Sequence, residues 1–368
     1  MPTFGIEEEY LLLDPATGFP AFASSEVEEY LHRSPRVDNA DVQRELLSCQ
    51  LETSTPPCAT PAEALASLAG FRSELGAAAL KARVKAAAVG TAPWFDTAAT
   101  ELTDKARYHR IKENARAIVV DQYCNGLHVH VEVPDRESGV EALNRIRPWL
   151  PVITALSANS PYWQGQDSGF ASWRTVHFRR WPVQGVPPLF VDAADYDHRV
   201  EGLVRTGAIF DRGLVTWMAR LSDNYPTLEV RAADVQLTAR DSVLLGVLCR
   251  ALVVTALAEG RQGTPPQEVA PELLDAALWQ AGRHGLDGEL VNTRSGGLVP
   301  AREAVGAFLE HIGAALEQSG DTAYVAAGMA RLNELGTGAQ RQRAAYERGG
   351  LPALVDLFSS SLTEAPGD

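Results

Sequence analysis

The segment Gly5-Ile6-Glu7-Glu8-Glu9-Tyr10 places three consecutive carboxylates at the beginning of a strand-like stretch. Carboxylates disfavour sheets and repel one another when clustered, so something must compensate them. Side chains alternate along a strand, which puts Glu7 and Glu9 on one face and Glu8 on the other. Two carboxylates side by side suit a hard cation, which takes oxygen ligands and cancels the repulsion. An acidic edge open to water is the competing explanation. The stretch from Glu45 to Ser54 repeats the theme: Gln50, Glu52 and Ser54 share a face, and Glu45, a short segment earlier, could return to the same place. An edge strand with one wet face accounts for this stretch equally well.

Two later segments alternate in the same way. In Asn125-Gly126-Leu127-His128-Val129-His130-Val131-Glu132 the residues His128, His130 and Glu132 stand opposite Val129 and Val131. A His-x-His pair can ligate zinc. No third His or Cys is arranged nearby, so a mixed histidine–carboxylate site for Mg²⁺ or Mn²⁺ is the preferred reading, against a polar face turned to water. In Tyr225-Pro226-Thr227-Leu228-Glu229-Val230-Arg231 an acid and a base share a face. Glu229 could complete a metal shell while Arg231 offsets charge on a transferring phosphoryl group; a structural ion pair is the alternative. Taken together, four polar strand faces predict a sheet with one metal-lined concave face, able to hold cations against the phosphates of ATP, and one apolar face under helices.

The elements that must position these residues follow from periodicity and punctuation. Phe4 to Leu13 reads as a strand ending at the turn Asp14-Pro15-Ala16-Thr17-Gly18, and Cys49 to Thr55 as a second, stopped by Pro56-Pro57. Ala62 to Lys85 is rich in helix formers and precedes a short strand, Ala86 to Gly90. Thr103 to Asp121 is expected to be helical with Thr103 as its cap, leading into the strand Cys124 to Val133. Pro148 and Pro151 should divide a helix over Val140 to Ala158. A strand from Thr227 to Val235 feeds a long apolar helix from about Arg240 to Glu259. From Pro271 onward the pattern is mainly helical, broken at Gly285 to Gly297, Gly336 to Gly338 and Gly349-Gly350. No repeat or low-complexity linker divides the chain, so the expectation is a single α+β domain over residues 1–362, helices backing an antiparallel sheet, with a loose tail from Thr363 to Asp368.

Composition narrows the function. With 368 residues and 45% hydrophobic content the chain can bury a substantial core. Its formal charge of −14 argues against a general electrostatic grip on nucleic acid or anionic lipid. The four cysteines, Cys49, Cys58, Cys124 and Cys249, form no C-x-x-C pair, which fits reduced thiols in a cytosol. No signal peptide is visible, and no apolar stretch is read as approaching the roughly 20 residues of a membrane span. A cytoplasmic enzyme acting on small molecules is expected; assembly into a homo-oligomer is left open.

At these residues the sequence resembles the carboxylate–amine ligases of the glutamate–cysteine ligase type 2 family. The resemblance runs through Phe4 to Tyr10, Glu45-Leu46-Leu47 with Gln50-Leu51-Glu52, and His128 to Val131. It continues through Ala158 to Gly165, Ser172-Trp173-Arg174-Thr175, Arg180-Trp181-Pro182, Tyr225 to Arg231 and Gly338 to Arg343. It implies a curved antiparallel sheet similar to the catalytic domain of glutamine synthetase and the guanidino kinases, closed around ATP and metals. It also implies metal ligation by Glu7, Glu9, Glu45, Glu52, His128 and Glu229, phosphate contact by Arg231 with Arg180 at the nucleotide, and Arg174 on the carboxylate substrate. The sequence departs from the family pattern at Glu132, where a small residue is usual, at Asn125, near a position often held by Cys, and after Arg220, where a proline is expected.

The implied reaction is amide formation through an acyl phosphate, by default from glutamate and cysteine. Other carboxylate–amine pairs, a guanidino kinase that stops at phosphoryl transfer, a zinc hydrolase using His128 and His130, and a nucleotide-binding protein without turnover remain as alternatives.

Overall fold

The computed structural model of the chain describes residues 1–38 and 42–364. The last four residues of the expected loose tail, 365–368, lie outside that range. Among the described residues the centre is a seven-stranded antiparallel sheet built from β1 (Phe4–Leu13), β2 (Val42–Arg44), β3 (Gln50–Ser54), β4 (Lys85–Ala87) and β5 (Gly126–Glu132), with two later strands. A two-strand ribbon, β6 (Tyr162–Trp163) with β7 (Gln166–Asp167), comes between; β8 (Ala219–Leu221) and β9 (Thr227–Asp234) complete the main sheet. The strand order is β2-β3-β1-β5-β9-β8, and β4 pairs with the far end of β1. A second ribbon, β10 (Glu289–Val291) with β11 (Leu298–Pro300), occupies part of the expected break at 285–297.

Alternation in sequence becomes the two sides of this sheet. On β1 the side chains of Phe4, Ile6, Glu8 and Tyr10 are fully buried on one side, while Glu7 and Glu9 are partly accessible on the other. The buried side meets two helices. Pro61–Lys81 begins with a capping box between Thr60 and Glu63 and a proline in its first turn, and buries Ala64, Leu68, Arg72, Leu75 and Ala79 as one stripe. Each fully buried Leu there contributes about 1.5–3 kcal/mol of transfer free energy. Ala239–Arg261 starts where the Thr238 hydroxyl accepts from the Asp241 amide. Gly246 lets this helix approach β1 closely, because a methyl at that position would lie 2.8 Å from Ile6 Cδ1. Ile6, Leu127, Val129, Val131, Leu228 and Val230 join it in one core.

Three sequence expectations need correction. Ala239–Arg261 is, by length and composition, long and apolar enough to cross a membrane, although most of it is buried against the sheet and neighbouring helices. Thr103 does not cap a helix: its hydroxyl is buried without a hydrogen-bond partner, and the helix runs only from Ala106 to Ala115. Arg116, at φ +54°, then breaks the ladder and a 3₁₀ segment continues to Asp121. The strand expected over Ala86–Gly90 is Lys85–Ala87, because Gly90 has left the ladder to exchange backbone hydrogen bonds with Asn125 and Asn159. The division at Pro148 and Pro151 is present, with helices Arg136–Ile146 and Leu150–Leu156 flanking a 3₁₀ turn. The break at Gly349-Gly350 is also present.

Candidate active site

Register brings the polar residues together on the face of the sheet opposite the helices. In the β1–β3 pair Glu9 faces Glu52, and in the β1–β5 pair Glu7 faces His128. In the β5–β9 pair His130 faces Glu229, after an irregularity between Leu127 and Val129. Directly opposed side chains in an antiparallel pair have Cβ atoms about 4.5–5.5 Å apart, so two glutamates placed there repel. Glu45 reaches the same face from the turn between β2 and β3. Ligand atoms of Glu7, Glu52 and His128, of Glu7, His130 and Glu229, and of Glu9, Glu45 and Glu52 lie within 4.8 Å of one another in each trio.

The two ends of this face differ in charge balance. Glu7 Oε2 is 3.1 Å from His128 Nδ1, and Glu229 is paired with both Arg231 and Arg220. Burial alone would raise both acids, but His128 and His130 hold Glu7, and Arg231 and Arg220 hold Glu229, well below the usual carboxylate range. Burial and Arg231 depress His128 to about 4, so it is a neutral imidazole with a free lone pair near pH 7. His130 Nε2 is buried 3.2 Å from Glu7 Oε1 without making a hydrogen bond. At the other end, burial and the Glu45 charge push Glu9 up to about 7 against the pull of Arg174. Burial also raises Glu45, and burial with the neighbouring acids raises Glu52 well above its ordinary value.

Arg174 approaches this acidic end from the short helix Trp173–His177. It is buried, its Nε has no hydrogen-bond partner, and its Nη1 is 3.8 Å from Asp234 Oδ1. Asp234 spends its oxygens on the Asn159 amide and the Ser160 and Ser172 hydroxyls at 2.7–2.9 Å, so it offsets the arginine charge without occupying its donors. A methyl at Gly126 would fall 2.5 Å from Arg174 Nη2, and the Gly126 amide donates to Glu9 Oε2 at 2.6 Å. Glycine at 126 is therefore what lets arginine and glutamate meet there.

Glu7, Glu9, Glu45, Glu52, His128, Glu229, Arg231 and Arg174 thus converge. Arg180 does not join them: it forms a two-point ion pair with Asp121, at 2.9 and 2.8 Å. Glu132 lies at the exposed end of β5 and accepts from the Thr3 amide and hydroxyl. His130, which strand alternation placed on the His128 face, stands in the cluster, as does one residue not assigned from sequence, Arg220. Arg220 is carried by a three-residue strand, too short to show a period. A cavity of about 390 Å³ opens at the Glu7 end, with Phe4, Pro57, His130, Glu132 and Tyr225 among its walls.

The fold is one seen in solved ligases. It matches the glutamate–cysteine ligase of Francisella tularensis, determined in complex with AMP, with a TM-score of 0.74 at 12% identity over 99% of this chain and 89% of that one. A bifunctional glutathione synthetase from Pasteurella multocida matches 98% of this chain over 52% of its own, with a TM-score of 0.72 at 16% identity. In sequence, residues 3–356 match the glutamate–cysteine ligase family 2. A Mycobacterium sp. (strain KMS) protein named "Putative glutamate--cysteine ligase 2-2" is 42% identical over 364 residues, 98% of each chain. A Frankia alni protein of the same name is 44% identical over 376 residues, 98% of this chain and 97% of its own. The class so defined is the ATP-dependent carbon–nitrogen ligases. Within it, the chain belongs to the glutamate–cysteine ligase family 2.

Proposed function

We propose that the protein joins a carboxylate to an amine through an acyl phosphate made from ATP, with L-glutamate and L-cysteine as the default pair and γ-glutamylcysteine, ADP and phosphate as products. The observation that carries this reading is the trio Glu9, Glu45 and Glu52, whose carboxylates approach within 4.8 Å with no hydrogen-bonded cationic side chain among the described residues. Partly buried acids crowded in that arrangement cannot all ionise near neutral pH unless a cation joins them. Carboxylate oxygens suit Mg²⁺ or Mn²⁺, and imidazole nitrogens beside them suit Mn²⁺ in particular. Glu9, Glu45 and Glu52 would hold one such ion and Glu7, His128, His130 and Glu229 another; bound there, they supply positive charge against the triphosphate.

The chain's own groups do the remaining work. The cavity beside Glu7 and the exposed ring of Tyr225 offer a place for the nucleotide base, which leaves the phosphates over the sheet. Arg231 donates to the transferring phosphoryl group as the substrate carboxylate attacks it and ADP departs. Arg174, with its charge balanced by Asp234 and its Nε unpartnered, holds the acyl substrate. The amine then attacks the acyl carbon, phosphate leaves with the bonding pair, the nitrogen gives up a proton to solvent and the amide remains. Arg180 enters the nucleotide site only by exchanging Asp121 for a phosphate.

A coupled assay of ADP release, run over pairs of amino acids with Mg²⁺, tests this. ADP and orthophosphate should appear together, only when carboxylate and amine are both present, and EDTA should abolish both. ADP release onto a guanidino acceptor without orthophosphate would replace the ligase with a kinase, and ATP-independent hydrolysis would replace it with a hydrolase.

A further inference from the structure

Glu229 is 2% exposed and has two arginine partners that divide its oxygens between them. Arg220, directly opposite on β8, donates from Nε to Oε2 at 2.6 Å, and its Nη2 reaches Oε1 only at 3.4 Å. Its Nη1 is committed elsewhere, to the carbonyls of Gly213 and Val215, both at 2.9 Å. Arg231 takes Oε1. That same oxygen lies 3.8 Å from His128 Nδ1 and 4.0 Å from His130 Nε2, whereas among the described residues the Arg231 guanidinium has no bond to a backbone carbonyl. One arginine is fastened to the scaffold; among the described residues the other is hydrogen-bonded to the glutamate, with a 3.5 Å approach to His128.

This asymmetry matters once Arg231 turns to a phosphoryl group. A buried carboxylate that loses its last partner incurs several kcal/mol of uncompensated desolvation and would rotate or take up a proton. We propose that Arg220 is a positioning residue: it pins Glu229 through Oε2, so that Oε1 stays turned toward Glu7, His128 and His130 as a cation ligand while Arg231 is released to the nucleotide. Lysine cannot substitute fully, because one ammonium cannot reproduce a planar fork that serves a carboxylate on one side and two carbonyls on another. The inference rests on the metal-dependent ligase reading above.

The test is Mn²⁺ binding by the purified full chain without nucleotide, following the free-ion signal by electron paramagnetic resonance, for the wild type, Arg220→Met and Arg220→Lys. Removing a group that orients a ligand costs about 10–100-fold in metal affinity. Arg220→Met should therefore lose about that much at one site and keep the other, with Arg220→Lys in between. High Mg²⁺ should restore much of the turnover of Arg220→Met, which a purely structural tie between β8 and residues 213–215 would not allow. If Arg220→Met fails to fold, Arg220→Lys decides, and a loss below about 2-fold there overturns the proposal. Normal Mn²⁺ uptake by the wild type with unchanged affinity in a folded variant removes the role of Arg220 alone. No uptake by the wild type, with or without ATP, removes the metal reading and this inference with it.

Discussion

On β1, Glu8 turns toward the helices while Glu7 and Glu9 turn toward the open face, and the two sides treat a carboxylate differently. Glu8 is enclosed with Arg72, both side chains 0% exposed. Arg72 gives Glu8 two hydrogen bonds, at 2.9 and 2.6 Å, and the Tyr10 and Ser242 hydroxyls add two more. The remaining arginine donors reach the carbonyls of Gln236 and Leu237. Every polar atom there is satisfied from within the chain. Across the strand, Glu9, Glu45 and Glu52 have one another, the Gly126 and Leu46 amides, and arginines no nearer than Coulomb range. A closed network holds a fold together; the open one is where the proposed reading places a cation.

Arg72→Met should break the closed side. It leaves Glu8 buried and unpaired, so urea unfolding should show a loss of about 3–5 kcal/mol. A loss under about 1 kcal/mol would mean that the two sides do not differ as described. Glu52→Gln acts on the open side and should do the reverse: ADP release falls by about 100-fold or more, about 2.7 kcal/mol in the barrier. Stability in EDTA should stay level or rise, since an amide sits beside Glu9 and Glu45 without having to take up a proton, as the raised Glu52 carboxyl must. A folded Glu52→Gln protein with near-normal turnover would contradict the site.

Arg231→Lys sharpens the contrast inside the open side. It keeps the charge but loses the fork, so the maximal rate should drop about 10–100-fold while ATP affinity changes little. Early melting with normal turnover would instead make Arg231 a structural partner of Glu229.

The smallest effect expected is one of pH. Between pH 6.5 and 8 the unfolded carboxyls are fully ionised, whereas folded Glu9, raised to about 7 by burial and Glu45, is still releasing its proton. Glu52, raised by burial and the neighbouring acids, and His130, held above its ordinary value by Glu7 and Glu229 against burial, act in the same sense. The folded state then binds more protons than the unfolded one, so stability falls as pH rises across this window. His128, His177 and His311, all depressed by burial, act in the opposite sense near pH 6.5, where unfolded imidazoles are still partly protonated, so the fall is concentrated above about pH 7. Melting temperature in EDTA should fall by about 2–5 °C from pH 6.5 to 8, and by clearly less in 10 mM Mg²⁺. Equal falls in both buffers would show that no cation relieves the open side.

Alternation made much of this legible in advance. It assigned Glu7 and Glu9 to one face and Glu8 to the other, put His128 opposite Val129, and joined Glu229 to Arg231. It was silent on the partners that decide what each carboxylate does. Arg72 lies 64 residues from Glu8, on a helix whose buried stripe reads as apolar apart from that one position. Arg220 sits on a strand of three residues, and β2 is equally short, so neither carries a period. Thr103 looked like a cap because side-chain type suggests caps, while the tertiary position of its hydroxyl is set by packing that no local pattern encodes.

The strand order has a consequence for how the chain reaches this state. β1 is synthesised first and sits in the middle of the sheet, yet the partner of Glu7 on β5 comes 121 residues later. At about 5–20 residues per second, β1 waits roughly 6–24 s on the ribosome before both edges can pair. An apolar strand waiting that long would be a template for association with other nascent chains. Glu7, Glu8 and Glu9 in a row give it three like charges near its centre, which disfavours such association while the strand is unfinished, whichever face each carboxylate later takes.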